Sequence, residues 1–331
     1  MSSGPLPRHG DQGAVVADLH RLLARAGFDA DSDSTTFDDA TVEALRRFQR
    51  SRGLIDDGVC GPVTWAALVE ASNRLGDRML YLRSPMTRGD DVAELQQRLG
   101  ALGFDAGRVD GIFGPDTERA VRDFQHNCGL VTDGVVGRDT VAALQRLGGR
   151  STGSHTVAAV RERERLRALV DAEGSTAWHR RRIVLGHGGS SPALIAALAR
   201  LLRSRGAQVL DLHDPDPHRQ ARAANTWGGD VYLGATLATD ESLVTFFSTT
   251  GFTSEGGRAL AARVARRLDG TGLVAPRPVG LRLPILRETR MPAIWCRLAP
   301  ARVVVTHQSR LAAGLMAALD DWYRCPLDDD A

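Results

Sequence analysis

The residues with the most chemical potential lie in one short stretch, Arg181 to Gly189, reading RRIVLGHGG. A short apolar run, Ile183, Val184 and Leu185, passes straight into Gly-His-Gly-Gly. That is how a buried strand ends when its last side chain faces a cleft at the carboxyl edge of an α/β sheet. The glycines let the backbone turn tightly and leave room beside the imidazole of His187. A second group is His213 and His218 in Leu-His-Asp-Pro-Asp-Pro-His, with Asp214 and Asp216 between them. Histidines and aspartates at such spacing bind metal, and a polar loop fixed by prolines is the alternative. Cys296 beside Arg297 has the look of a nucleophile, but one cysteine at the end of an apolar strand is a core residue by its setting. No phosphate-cradling glycine-rich lysine loop and no serine nucleophile elbow occurs.

The elements that must position these groups alternate strand and helix from Arg181 onward, which points to α/β architecture. Strands are predicted at Ile183–Leu185, Val209–Leu212, Asp230–Leu233 and Ala293–Cys296. Helices are predicted from Pro192 to Gly206, over Arg219–Asn225, over Gly256–Leu268 and over Leu311–Trp322.

The amino-terminal half is a duplication. Gly13–Leu68 aligns on Gly89–Leu144 without a gap, and 25 of 56 positions are identical, where average residue usage gives about 4. Each copy opens with an apolar-striped helix, Val16, Leu19, Leu22, Leu23 or Val92, Leu95, Leu99, Leu102, that stops at Gly27-Phe28 or Gly103-Phe104. A second helix opens near Thr41 or Thr117, with Asp39 or Asp116 as the expected cap, and ends in Phe-Gln. A third runs from Thr64 or Thr140 to Ala-Ala-Leu. Arg78–Pro85 reads as a packed apolar connector, and Gly148–Ser154 as a linker ahead of a charged helix over Val157–Ala172.

The repeat resembles the three-helix peptidoglycan-binding domain, whose signature is DGxFGPxT, FQ and GLxxDGxxGxxT. Copy two has Asp110 to Pro115, Phe124-Gln125, and Gly129-Leu130 through Gly137 and Thr140. Copy one keeps Phe37, Phe48-Gln49 and Asp57 to Thr64, but has Ser34 and Asp38 where copy two has Asp110 and Gly114. The resemblance implies a ligand surface along Asp110, Gly111 and Phe113 and along Asp133 and Gly134, although glycines and apolar residues of the signature are mainly scaffold.

Residues 181–325 resemble the zinc-dependent N-acetylmuramoyl-L-alanine amidases, through Gly-His-Gly-Gly, Arg222 and Asn225, Asp230–Leu233, Leu286 to Thr289 with Pro292-Ala293, and Gln308. That family holds zinc with histidine, glutamate and histidine and uses a second glutamate as general base. A catalytic zinc needs three side-chain ligands and an open position for water. Here the first position matches, His187. The second is lost where Ser190-Ser191-Pro192 runs directly into the helix. The third falls on Thr236 and the base on Arg297. Threonine is a poor zinc ligand, and a guanidinium in the cleft opposes a dication. Arg297 would instead pair with a ligand carboxylate or phosphate, or with Glu288 or another nearby acid.

The chain is therefore expected to be multidomain: peptidoglycan-binding domains at 1–76 and 77–148, a linker and charged helix at 149–180, an amidase-like α/β domain with a mostly parallel sheet at 181–325, and an acidic tail at 326–331. Forty-two basic residues against 40 acidic, a net charge of +2, argue against nucleic-acid or membrane-surface binding. The arginine-rich stretch 161–182 is read as a solvated helix face. The amino terminus lacks a signal-peptide core, no later run spans a bilayer, and the four scattered cysteines fit reduced thiols, so a cytoplasmic location is expected. The combination resembles actinobacterial amidase homologues in which two peptidoglycan-binding domains precede a degenerate amidase domain. It implies a pseudoenzyme that binds peptidoglycan fragments or precursors, regulates wall synthesis through protein partners and holds no cofactor. The alternative is an active zinc amidase with an altered site.

Overall fold

The computed structural model describes residues 6–28, 35–148, 157–171, 178–249 and 252–327. Ser34, the linker over 149–154 and most of the acidic tail lie outside them. The chain divides into two compact units, Met1–Ala158 and Ala159–Ala331.

The first unit holds six helices in two sets of three: α1 (Ala14–Arg25), α2 (Asp39–Ser51) and α3 (Pro62–Ala71), then α4 (Asp90–Ala101), α5 (Pro115–Asn127) and α6 (Arg138–Gly148). The duplication extends to the packing. Val16, Leu19, Leu23, Phe37, Leu45, Phe48 and Leu68 form one core. Their counterparts Val92, Leu95, Leu99, Phe113, Val121, Phe124 and Leu144 form the other. Phe28 meets Phe48 edge-on at 5.4 Å, as Phe104 meets Phe124 at 5.5 Å. The caps differ from expectation. Asp38, not Asp39, accepts from the Thr41 amide at 2.9 Å. In copy two Gly114 is the cap residue and Asp116 caps nothing, because Pro115 at the first helical position already dispenses with one amide donor. The connector is only partly packed: Leu80 is buried and bridges Val136, while Met79, Tyr81 and Leu82 are exposed.

The second unit is α/β. Helix α7 (Val157–Asp171) precedes β1 (Arg182–His187), α8 (Pro192–Ser204), β2 (Gln208–Leu212), α9 (Pro217–Trp227) and β3 (Val231–Leu237). Then come β4 (Leu243–Thr249), β5 (Phe252–Thr253), α10 (Glu255–Leu268), β6 (Arg277–Leu281), α11 (Pro284–Glu288), β7 (Ala293–Leu298), α12 (Ala301–Thr306) and α13 (Gln308–Arg324). The sheet runs β2-β1-β3-β7-β4, with β5 and β6 both paired to β4. Pairings β1–β2, β1–β3, β3–β7 and β4–β6 are parallel, while β4 is antiparallel to β7 and β5. One face is sealed by Leu194, Leu198, Leu260, Val264, Leu315, Leu319 and Trp322 from α8, α10 and α13, packed on Ile183, Leu185, Leu233 and Ile294.

The arginine-rich stretch is not uniformly solvated. Arg161, Arg165 and Arg167 are exposed. Arg163 instead makes two 2.7 Å bonds to Glu255, Arg181 is buried over the Tyr323 ring, and Arg182 stacks on Trp227. A planar guanidinium satisfies charge and stacking at once, so α7 docks through its polar side as well as through Leu166. No helix among the described residues is long and apolar enough to cross a membrane.

Candidate functional site

Strands β1, β3 and β7 are parallel neighbours, so their carboxyl ends open onto one sheet edge. His187 closes β1 opposite Ala235, and Thr236, one residue on, lies opposite Arg297 of β7. The three positions that the amidase resemblance singles out therefore lie at one edge. Their chemistry is not that of a zinc cage. Ser190 and Thr236 join hydroxyls at 2.7 Å, Ser190 Oγ also accepts from the Leu237 amide at 3.2 Å, and Ser191 donates to the Ala235 carbonyl at 2.7 Å. The short loop after His187 is thus fastened along the end of β3, and Pro192 starts α8 at once. Arg297 is half-buried and lies 3.9 Å from Glu241. Glu288, the acid named for it from sequence, pairs with His218 at 2.8 Å instead. The family's histidine–glutamate–histidine set does not fit these residues.

His187 has gained a different neighbourhood. Leu185 on β1 pairs with Asp211 on β2. Two residues further along each strand stand His187 and His213, so the strand period of two brings Asp211 and His213 to the face that carries His187. His187 Nε2 and His213 Nδ1 are 2.5 Å apart, with the rings edge to face. His213 Nε2 lies 3.3 Å from Asp211 Oδ1. The Gly189 amide donates to His187 Nδ1 at 3.1 Å, at a φ of +94° that favours glycine. Because Nδ1 accepts, the neutral ring carries its proton on Nε2, and the chain runs Gly189 to His187 to His213 to Asp211. Burial first, and His213 second, hold His187 below the usual histidine range, with Asp211 pulling the other way.

The expected group of His213, His218, Asp214 and Asp216 is dispersed. His218 turns to Glu288, Asp216 caps α9 by accepting from the His218 amide, and Asp214 and Asp216 both reach Arg219. The prolines fix this polar loop, as the alternative reading had it, and only His213 is drawn to His187. Sequence reasoning missed Asp211; Asp-x-His at the end of a strand beside the His187 strand was the signal.

Cys296 lies fully buried in the core, and burial pushes its thiol up to about 12, as it does that of Cys60. In the folded chain, Cys60 and Cys296 are expected to resist alkylation equally at pH 7 and pH 9, while exposed Cys325 reacts. Mass mapping after a brief iodoacetamide pulse checks this; rapid labelling of Cys296 would reinstate it as a nucleophile.

In the helical unit, Asp110 and Asp133 are used by the fold. Gln125 Nε2 donates to Asp133 Oδ1, the Val135 carbonyl and Thr140 Oγ1 at 2.9–3.2 Å, while its Oε1 accepts from the Gly134 amide at 2.9 Å. Gln96 repeats the device on Asp110, Gly111, Ile112 and Thr117, and Gln49 on Asp57, Gly58, Val59 and Thr64. The Val135 amide and Gln125 hold the Asp133 carboxyl below the usual range. Phe113 is wholly buried. At the fourth equivalent place His20 stands where copy two has Gln96, and its Nε2 meets Thr41 Oγ1 at 2.7 Å.

A family model described as a putative peptidoglycan binding domain matches residues 12–68 and again 88–144. An N-acetylmuramoyl-L-alanine amidase of Mycobacterium tuberculosis, CwlM, is 33% identical over 97% of this chain and 90% of its own. A second amidase, CwlL of Bacillus licheniformis, is 32% identical over 44% of this chain and 47% of its own length. Among solved structures, an N-acetylmuramoyl-L-alanine amidase of Clostridium difficile 630 covers 46% of this chain and 99% of its own at 16% identity and a TM-score of 0.39. The chain belongs to the N-acetylmuramoyl-L-alanine amidase family and carries two peptidoglycan-binding domains ahead of the amidase-like one. Within that family it is similar to CwlM along nearly its whole length.

Proposed function

We propose that this chain is a catalytically degenerate amidase homologue that binds peptidoglycan or its precursors and acts as a regulator or scaffold of wall synthesis. It would work in the cytoplasm through protein partners. The observation that carries the reading is the strand edge itself, where Thr236 and Arg297 take the places of a ligand and a general base. Ser190 and Ser191 fasten the loop over the remaining place. Such an edge offers an anion a guanidinium, and it lacks a carboxylate base on β7. The test is the purified full chain with zinc and muropeptides. The expected outcome is no cleavage of the lactyl-amide bond, with saturable co-sedimentation on isolated peptidoglycan. Peptide release that disappears in His187→Ala would overturn the proposal in favour of an active amidase with an altered site. The joining of His187 to Asp211 and His213 is the one observation that favours that second reading.

A further inference from the structure

We propose that His187, Asp211 and His213 form a divalent-metal site of the zinc class, moved from the family's other ligand places, in the loop after His187 and on β3, to the β1–β2 side of the sheet. Only His187 is shared with the family pattern; Asp211 and His213 come from a strand that supplies no ligand there. Two independent features support it. First, two imidazoles and a carboxylate offer one ligand atom each within 4.8 Å of one another, the donor set that suits zinc and its neighbours. Second, Asp211 Oδ1 is buried without a hydrogen-bond partner, and the nearest basic nitrogen is His213 Nε2 at 3.3 Å. A buried carboxylate oxygen in that position gains a full partner from a cation. Ligation through His187 Nε2 requires that nitrogen to give up its proton, so the ring proton moves to Nδ1 and the Gly189 amide bond is released.

The spacing requires one adjustment. Two ligands on a tetrahedral zinc with bonds of about 2.0–2.1 Å stand roughly 3.3 Å apart. The facing ring nitrogens are at 2.5 Å. His187 is buried, whereas the His213 side chain is 57% exposed and can swing outward by the needed fraction of an ångström. His213 Nε2, which already faces Asp211, is the nitrogen a shared metal would take, so the His213 ring would also turn its Nδ1 away from His187. The positive charge nearest in the loop, Arg219, is engaged by Asp214 and Asp216.

The experiment is titration of untagged, EDTA-stripped full chain with ZnCl2 by calorimetry, with Co2+ absorption as an independent readout. One zinc per chain is expected, with affinity falling roughly a hundredfold in His213→Ala and in Asp211→Asn. His213 is exposed, so its variant is expected to fold and to report binding alone. His218→Ala, whose side chain serves Glu288, is expected to bind like the parent. No stoichiometric zinc, or equal losses in His218→Ala and His213→Ala, would overturn the site. The proposed function is judged separately. Zinc without hydrolysis leaves both standing, zinc with hydrolysis keeps the site and removes the pseudoenzyme, and no zinc with no hydrolysis removes the site alone.

Discussion

Gly186→Ala is expected to destabilise the α/β unit by about 3 kcal/mol or more. A Cβ at Gly186 would land on Tyr232 Oη and Gln220 Oε1, which are hydrogen-bonded to each other at 2.7 Å in the interior. That pair cannot step aside cheaply. Gln220 also donates to the carbonyls of Asp214 and His187, so it ties α9 to β1 and to the loop after β2. Shifting it strands several buried groups at once. The neighbouring Gly188 has nothing within 4 Å of its would-be Cβ, and Gly188→Ala is expected to stay within about 0.5 kcal/mol of the parent. Urea unfolding followed by tryptophan emission measures both, since Trp178, Trp227, Trp295 and Trp322 all lie in this unit. A double variant with Tyr232→Phe should recover part of the loss; strict additivity would mean that crowding against the phenol is not the cause.

The second large effect is expected at Gln125. Gln125→Leu keeps the volume but leaves the Gly134 amide, the Val135 carbonyl and one Asp133 oxygen without the amide that joined them. The cost is about 1–3 kcal/mol, chiefly from the buried Gly134 amide losing its partner, since the Val135 carbonyl keeps Thr140 and Asp133 keeps the Val135 amide. Gln125→Glu is expected to be no better, because the new carboxylate would face Asp133. Hydrogen exchange of peptides covering 129–144 reports the loss locally, with the turn exchanging faster while copy one is unchanged. Peptidoglycan co-sedimentation should weaken in parallel. Wild-type protection in Gln125→Leu would show that the glutamine does not hold the turn.

These two cases mark what was legible in the sequence. The repeat, its glycine stops and most of the apolar stripe on the first helix of each copy follow from spacing alone, since helices bury a stripe and turns need particular residues. Strands β1, β2, β3 and β7 announced themselves as apolar runs between turn signals. Strand β4 was missed although Leu243–Thr249 is rich in β-branched and aromatic residues, and its antiparallel place beside β7 depends on pairing that no local pattern encodes. The same limit explains the site. That Thr236 and Arg297 share an edge with His187 could be inferred from the family pattern. That Asp211 and His213 stand beside His187 depends on β2 being the neighbour of β1 in a particular register. Likewise the acid nearest Arg297, Glu241, precedes a strand that was not foreseen. The role of the Phe-Gln glutamines was hidden differently, because the signature displays the residue and not its partners.

The glutamine clasps also bear on how the chain comes to be folded. Each joins a helix to a turn only a short way along the chain, so the loop closed in forming it is small and its entropic cost is low. The sheet is the opposite case: β3 finds β7 only after β4, β5, α10, β6 and α11 have been laid down between them. Local closure is fast and distant strand pairing is slow. As the chain leaves the ribosome, amino terminus first, the paired helical domains complete themselves early. The edge carrying His187 and Thr236 waits for its last strand, exposed until Arg297 arrives.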